Sequence, residues 1–226
     1  MQHIRILSQS ARYVFTADCL GGLLWVSVMS ARRNRINRSA TTRWAVAVNA
    51  RSRLRPPLPS DYLGNAVVHA VAAAPIQDLL GAADGKTPSI STIAAAALRI
   101  RAAIDSVTHD YVQQRLSLFA SVSDPQAVPT AFKRRLDMPN IGFDFSDWRT
   151  QDADIGFGIP GTDGGKADWV RKTWSANEGA INVLPRRGGG SGGDANWEVL
   201  VGLSVEDMEG LCGDAGVGKW VNRVVE

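Results

Sequence analysis

Val48-Asn49-Ala50-Arg51-Ser52-Arg53-Leu54-Arg55-Pro56-Pro57-Leu58-Pro59-Ser60-Asp61-Tyr62-Leu63-Gly64-Asn65-Ala66-Val67 is the stretch whose reading decides the fold. It leaves an alternating run, Trp44, Val46 and Val48, that has the period of a strand. Arg51, Arg53 and Arg55 follow, then Pro56, Pro57 and Pro59. Proline fixes φ and donates no ladder hydrogen bond, so the strand ends there and the chain crosses in an extended link. Tyr62-Leu63-Gly64-Asn65 turns it into a second apolar run, Ala66 to Ala74. Gly64 and Asn65 are residue types that readily take positive φ. An arginine-rich, proline-locked connection between two buried strands is expected to be a fixed shelf for something polar or anionic.

On either side of the shelf the pattern is helical. Thr16 is the expected N-cap of a helix carrying Leu20, Leu23, Leu24, Val28 and Ala31, with Asp18 in its first turn. That helix runs out in Arg32-Arg33-Asn34-Arg35, which suits either the negative end of the helix dipole or an anion patch. Pro75 to Leu80 reads as a short helix stopped by Gly81. Ile93, Ala97, Ile100, Ile104, Val107 and Tyr111 then place one apolar stripe along a single helix of about five turns. Such a helix lies across a sheet and buries its stripe.

From Phe143 the texture changes to short strands and glycine loops. Phe143-Asp144-Phe145, Ala167 to Trp174, Ala180 to Leu184 and Trp197 to Leu203 read as strands. Gly188 to Gly193 is expected to be a hairpin loop, because a phosphate cradle would need a helix directly after it. Ser204 and Asp207 have the spacing of a cap for a last helix through Met208 and Leu211, ended by Gly213. The sum is an α/β chain of two layers: a mixed sheet, one long covering helix and the central basic shelf.

Composition narrows the classes. At 226 residues and 45% hydrophobic, the chain buries one substantial core. The net charge of +3 and the lack of interleaved aromatics among the arginines argue against nucleic acid. The longest apolar run, Cys19 to Met29, is too short to span a bilayer, so no membrane partner is expected. Cys19 and Cys212 form no metal or disulfide pattern and are expected to be small buried hydrophobes in a reducing, cytoplasmic setting. No metal is expected.

The ordered series of motifs resembles the C-terminal half of the BAHD acyltransferases, and most closely their fungal branch of trichothecene 3-O-acetyltransferase-like enzymes. Phe15-Thr16-Ala17-Asp18-Cys19-Leu20 with Trp25 is similar to the family's helix start. Asn49 to Leu54, Pro56 to Pro59 and Tyr62 to Asn65 are similar to its R-x-R, P-P-L-P and Y-x-G-N run. Ser146-Asp147-Trp148 stands where the family has (T/S)-S-W, and Asp154-Ile155-Gly156-Phe157-Gly158 where it has D-F-G-W-G, with Ile155 and Phe157 replacing two aromatics. Residues 13–226 would form this domain, after an irregular segment 1–12.

The resemblance implies a chloramphenicol acetyltransferase-like fold of which this chain is one half. It implies transfer of an acetyl or similar acyl group from acyl-CoA, a co-substrate rather than a bound cofactor, to a small hydroxylated metabolite. Ser146 and Trp148 would line the substrate channel. Asp154, Gly156, Gly158, Arg51, Arg53, Gly64 and Asn65 would be structural anchors, with Asp154 paired to Arg51 or Arg53. Thr16 and Asp18 are weak candidates for touching CoA.

The family's general base is the histidine of H-x-x-x-D, which takes the acceptor's proton. His3, His69 and His109 are followed four residues on by Leu7, Ala73 and Gln113, so none spells it. His109 is expected on the polar side of the long helix, and His69 as a core or channel-wall residue. No catalytic residue is therefore assigned; the chain is expected to be a C-terminal fragment, or else a non-catalytic remnant that binds CoA or a partner chain. Its uncovered channel face would then favour self-association.

Overall fold

The computed structural model describes residues 13–80, 88–128, 130, 142–149, 155–162, 164–165, 167, 170–172, 178–185, 197–213 and 217–221. Helix α1 (Thr16–Ala31) leads to strand β1 (Thr41–Asn49), and the shelf opens with a 3-10 turn at Arg51–Arg53. Strand β2 (Val67–Pro75), α2 (Ile76–Leu80), α3 (Ile90–Asp105) and α4 (His109–Ser121) follow. Strands β3 (Gly142–Asp147), β4 (Ala180–Val183) and β5 (Val199–Val201) precede α5 (Val205–Cys212).

The five strands form one mixed sheet in the order β2-β1-β3-β4-β5. The outer pairs, β1 with β2 and β4 with β5, are antiparallel, and the inner pairs are parallel. Helices α1 and α3 pack on each other and on one sheet face. The α/β two-layer architecture expected from the sequence is present.

Trp44 is the centre of the buried layer. Its ring centroid lies 5.8 Å from that of Trp25, 5.3 Å from Phe143 and 5.5 Å from Phe145, tilted in each case. Trp25 also donates its indole N–H to Thr42 Oγ1 at 3.0 Å, which satisfies a polar group that would otherwise be costly to bury. Gly22 is where α1 meets α3. A Cβ there would come within 2.6 Å of the Ile93 carbonyl oxygen, so only glycine permits this approach.

Three local expectations are corrected. The single long helix is two, because Ser106 ends α3 and the Thr108 hydroxyl accepts the Tyr111 N–H to start α4. The apolar stripe survives the break because Val107, between the helices, is fully buried. Thr16 is the first residue of α1, not its cap: Phe15 holds the cap position, and the Asp18 carboxylate accepts the Phe15 N–H at 2.8 Å. The Ala167 to Trp174 strand is not formed at Ala167, Val170, Arg171 or Lys172, the described residues of that run. Trp169, Val170, Thr173 and Trp174 give the run a strand-like composition, but its described residues pair with no strand. Gly188 to Gly193 lies outside the described residues.

Candidate functional site

Arg51 and Arg53 spend guanidinium N–H groups in building the shelf, and Arg55 spends its backbone N–H. Arg51 donates from Nη2 to the Gly64 carbonyl at 2.8 Å and from Nε to the Tyr62 carbonyl at 3.3 Å, while its guanidinium lies 5.8 Å from the Tyr62 ring centroid. Arg53 donates to the Val107 carbonyl at 3.1 Å, in the break between α3 and α4. The Arg55 N–H donates to His109 Nδ1 at 3.1 Å. His109 therefore opens α4 as a hydrogen-bond acceptor, not as a solvated residue on one long helix. The planar guanidinium fork suits carbonyl oxygens held at fixed spacing. Asp154, expected to pair with Arg51 or Arg53, lies outside the described residues.

The other shelf residues hold shape. The Asn65 side-chain oxygen accepts the Val67 N–H at 3.1 Å, an Asx turn that launches β2. Gly64 is not among the positive-φ glycines; a Cβ there would first meet the phenol of the exposed Tyr62 side chain, so the expected conformational need for glycine is not seen. Gly158 does take positive φ, at 64°, and a Cβ on Gly156 would sit 2.7 Å from the Gly164 carbonyl oxygen. Ile155 and Phe157, between and beside them, are exposed.

Asp18 is closed to any ligand. Its two oxygens take Arg101 Nη2 and Nε, each at 2.8 Å, and it is 1% exposed. Burial opposes the charge on Arg101, but the hydrogen bonds and charges of Asp18 and Asp105 together outweigh it and raise the guanidinium above its ordinary value. Thr16 stays exposed at the start of α1. Of the cysteines, Cys19 is half-buried, and burial with the nearby Asp18 pushes its thiol up; Cys212 is exposed, contrary to expectation.

A buried ion cluster was missed in the sequence. Arg32 and Arg35, at the end of α1, converge on Asp207 of α5 and on Glu178. Burial pushes the Asp207 carboxyl up, but hydrogen bonds from Arg35 and Arg32 overcome it and hold the carboxyl below its usual value. The arginine run and the capping aspartate were each visible; nothing local ties one to the other.

The sheet face opposite α1 and α3 carries no helix among the described residues, and its polar groups are ordered. On β3, Asp144 and Ser146 point the same way, and Trp148 donates its indole N–H to Ser146 Oγ at 2.8 Å. Ser146 is in register with Asn182 of β4, whose side-chain oxygen accepts from Lys172 Nζ at 3.1 Å. His69 of β2 brings Nε2 to 3.7 Å from Asp144 Oδ1, reaching over the small side chains Ala45 and Ala47 of β1. The expected channel residues Ser146 and Trp148 are thus joined in one strip with groups that the sequence reading did not connect. Period-2 alternation shows which residues share a face of one strand, but not which strands are neighbours. No cluster of three or more metal-ligating side chains occurs among the described residues, and no helix among them is long and apolar enough to cross a membrane.

Comparison with known proteins places this geometry. A model of the Transferase family matches residues 8–215. An O-acetyltransferase of Aspergillus ustus, pboB, is 24% identical over 88% of this chain and 40% of its own length. The trichothecene 8-O-acetyltransferase of Fusarium sporotrichioides is 24% identical over 96% of this chain and 46% of its own. The crystal structure of F. sporotrichioides TRI101 complexed with coenzyme A and T-2 superposes with a TM-score of 0.69 at 23% identity, over 90% of this chain and 42% of that one. The chain spans less than half the length of these relatives.

Proposed function

The chain belongs to the Transferase family, the BAHD acyltransferases, and on that premise we propose that it supplies the C-terminal half of an acyl-CoA-dependent O-acyltransferase. The reaction is transfer of an acetyl or similar acyl group to an alcohol of a specialised metabolite. The observation that carries the reading is the Ser146–Trp148 pair, fixed on a sheet face that holds no helix among the described residues and in the positions where the resemblance puts the substrate channel.

The chemistry assigns different tasks to different groups. An alcohol must lose a proton as it attacks the thioester carbonyl, and a base within hydrogen-bond reach accelerates that step. None of His3, His69 and His109 stands in an H-x-x-x-D motif, so the base would come from a complementary half. This half would supply the wall: Ser146 and Trp148 orient the acceptor, and the shelf fixes the approach to the wall. Arg51 and Arg53 contribute little to CoA, since they already serve carbonyl oxygens.

Assaying acyl transfer from acetyl-CoA with the chain alone, and again with an H-x-x-x-D-bearing half of a relative co-expressed, tests this. Turnover only in the combined preparation is expected. Turnover by the chain alone would overturn the division of labour, and calorimetric binding of acetyl-CoA without turnover in either preparation would favour the non-catalytic reading. Alone, the chain should self-associate through the open face; a monodisperse monomer on size-exclusion would contradict that.

A further inference from the structure

The His69–Asp144 pair is unused by the reading above, although it lies on the same sheet face as Ser146. The two residues stand on strands that flank β1, about 9.6 Å apart at the usual strand spacing. They meet only because β1 presents alanine, at 45 and 47, beneath them. Both side chains remain partly open to solvent, 33% for His69 and 51% for Asp144. At 3.7 Å the contact is longer than a hydrogen bond, so the carboxylate keeps lone pairs to offer. Asp144 and Ser146 are two residues apart on one strand, which separates their side chains by about 7 Å. The face thus presents two hydrogen-bonding stations at a fixed spacing, beside the alanines of β1.

We propose that His69 and Asp144 determine specificity for the acceptor, receiving a second hydroxyl while the first lies at Ser146; the acceptor class is a compact diol or polyol, not a simple alcohol. The proposal rests on the acyltransferase reading only in calling the bound molecule an acceptor. Asp144 accepts a hydrogen bond from that hydroxyl, and the imidazole, 3.7 Å away, bounds the carboxylate on the side of β2. A molecule with one hydroxyl fills only one station and leaves the other to water.

The test uses the 226-residue chain, kept dilute enough to be monomeric so that self-association does not cover the open face, and two probes of equal ring size, cyclohexane-1,4-diol and cyclohexanol, titrated by NMR with the His69 ring and the Ser146 amide as reporters. The diol should bind about tenfold more tightly than cyclohexanol, the contribution of one hydrogen bond to a charged group. Asp144→Asn and His69→Gln should each bring that ratio close to one, with spectral dispersion retained. Equal binding of the two probes, or a ratio unchanged in both variants, would overturn the proposal. This outcome is independent of turnover: an assembled enzyme that transfers no acyl group would refute the acyltransferase reading, while the probe ratio would still decide what His69 and Asp144 do.

Discussion

Arg32 and Asp207 stand 175 residues apart in the chain and meet at 2.6 Å, with side chains 0% and 1% exposed. The contact welds the end of α1 to α5. Arg32 also donates to Glu178 at 2.8 Å and lies 5.5 Å from the Phe143 ring centroid, so a single guanidinium gathers a helix end, a loop and a strand. Removing one partner of a buried pair leaves the other charge uncompensated. Asp207→Ala should therefore cost about 3–5 kcal/mol in denaturant unfolding. Arg35→Ala should cost much less, because Arg35 is partly exposed and Asp207 keeps Arg32.

The same carboxylate sets an acid limit. Its folded value is held below the unfolded one, so its contribution is present above the unfolded carboxylate pKa of about 4 and is lost as the pH falls through the lower folded value. Urea midpoints measured between neutral pH and about pH 3 should converge for wild type and Asp207→Asn as acid is added. A constant gap would show that Asp207 is not the group responsible.

Gly22→Ala should destabilise by about 1–3 kcal/mol, since the new methyl meets the Ile93 carbonyl oxygen and the Ala97 nitrogen, which belong to backbone. Gly213→Ala is the control. That glycine has φ −68° and a nearest neighbour at 3.3 Å, so its midpoint should move far less.

Arg51→Lys tests whether the shelf needs a fork or merely a charge. An ammonium cannot reproduce the paired bonds to the Tyr62 and Gly64 carbonyls, so about 1–2 kcal/mol should be lost despite the retained charge. Hydrogen exchange of the Tyr62 to Val67 amides should accelerate. If the lysine variant matches wild type on both measures, the fork has no role.

The thiols should separate kinetically. Cys212 is exposed and should react first with a disulfide reagent at pH 8, while Cys19 is slowed by burial and by a raised pKa. Two equal rates would contradict this environment for Cys19.

Local pattern makes β1, the shelf and the last helix legible: Trp44, Val46 and Val48 alternate, prolines end the run, and Ser204 accepts the Asp207 N–H as its spacing implies, whereas the same pattern over Ala167 to Trp174 misleads. The α3–α4 break was hidden because Val107 continues the apolar stripe across it, and periodicity is blind to a change of axis. Arg51 was recognised as important, yet its partners are carbonyl oxygens, which carry no sequence signature. The His69–Asp144 contact crosses three strands and depends on the alanines between them, so only strand order reveals it.

Arg53 grips the carbonyl of Val107, the residue lodged between α3 and α4. A joint between two rods is ordinarily the place where a chain can flex. Here one hydrogen bond fastens that joint to the start of the proline-rich crossing, so the corner between the helices and the link between the strands share an anchor.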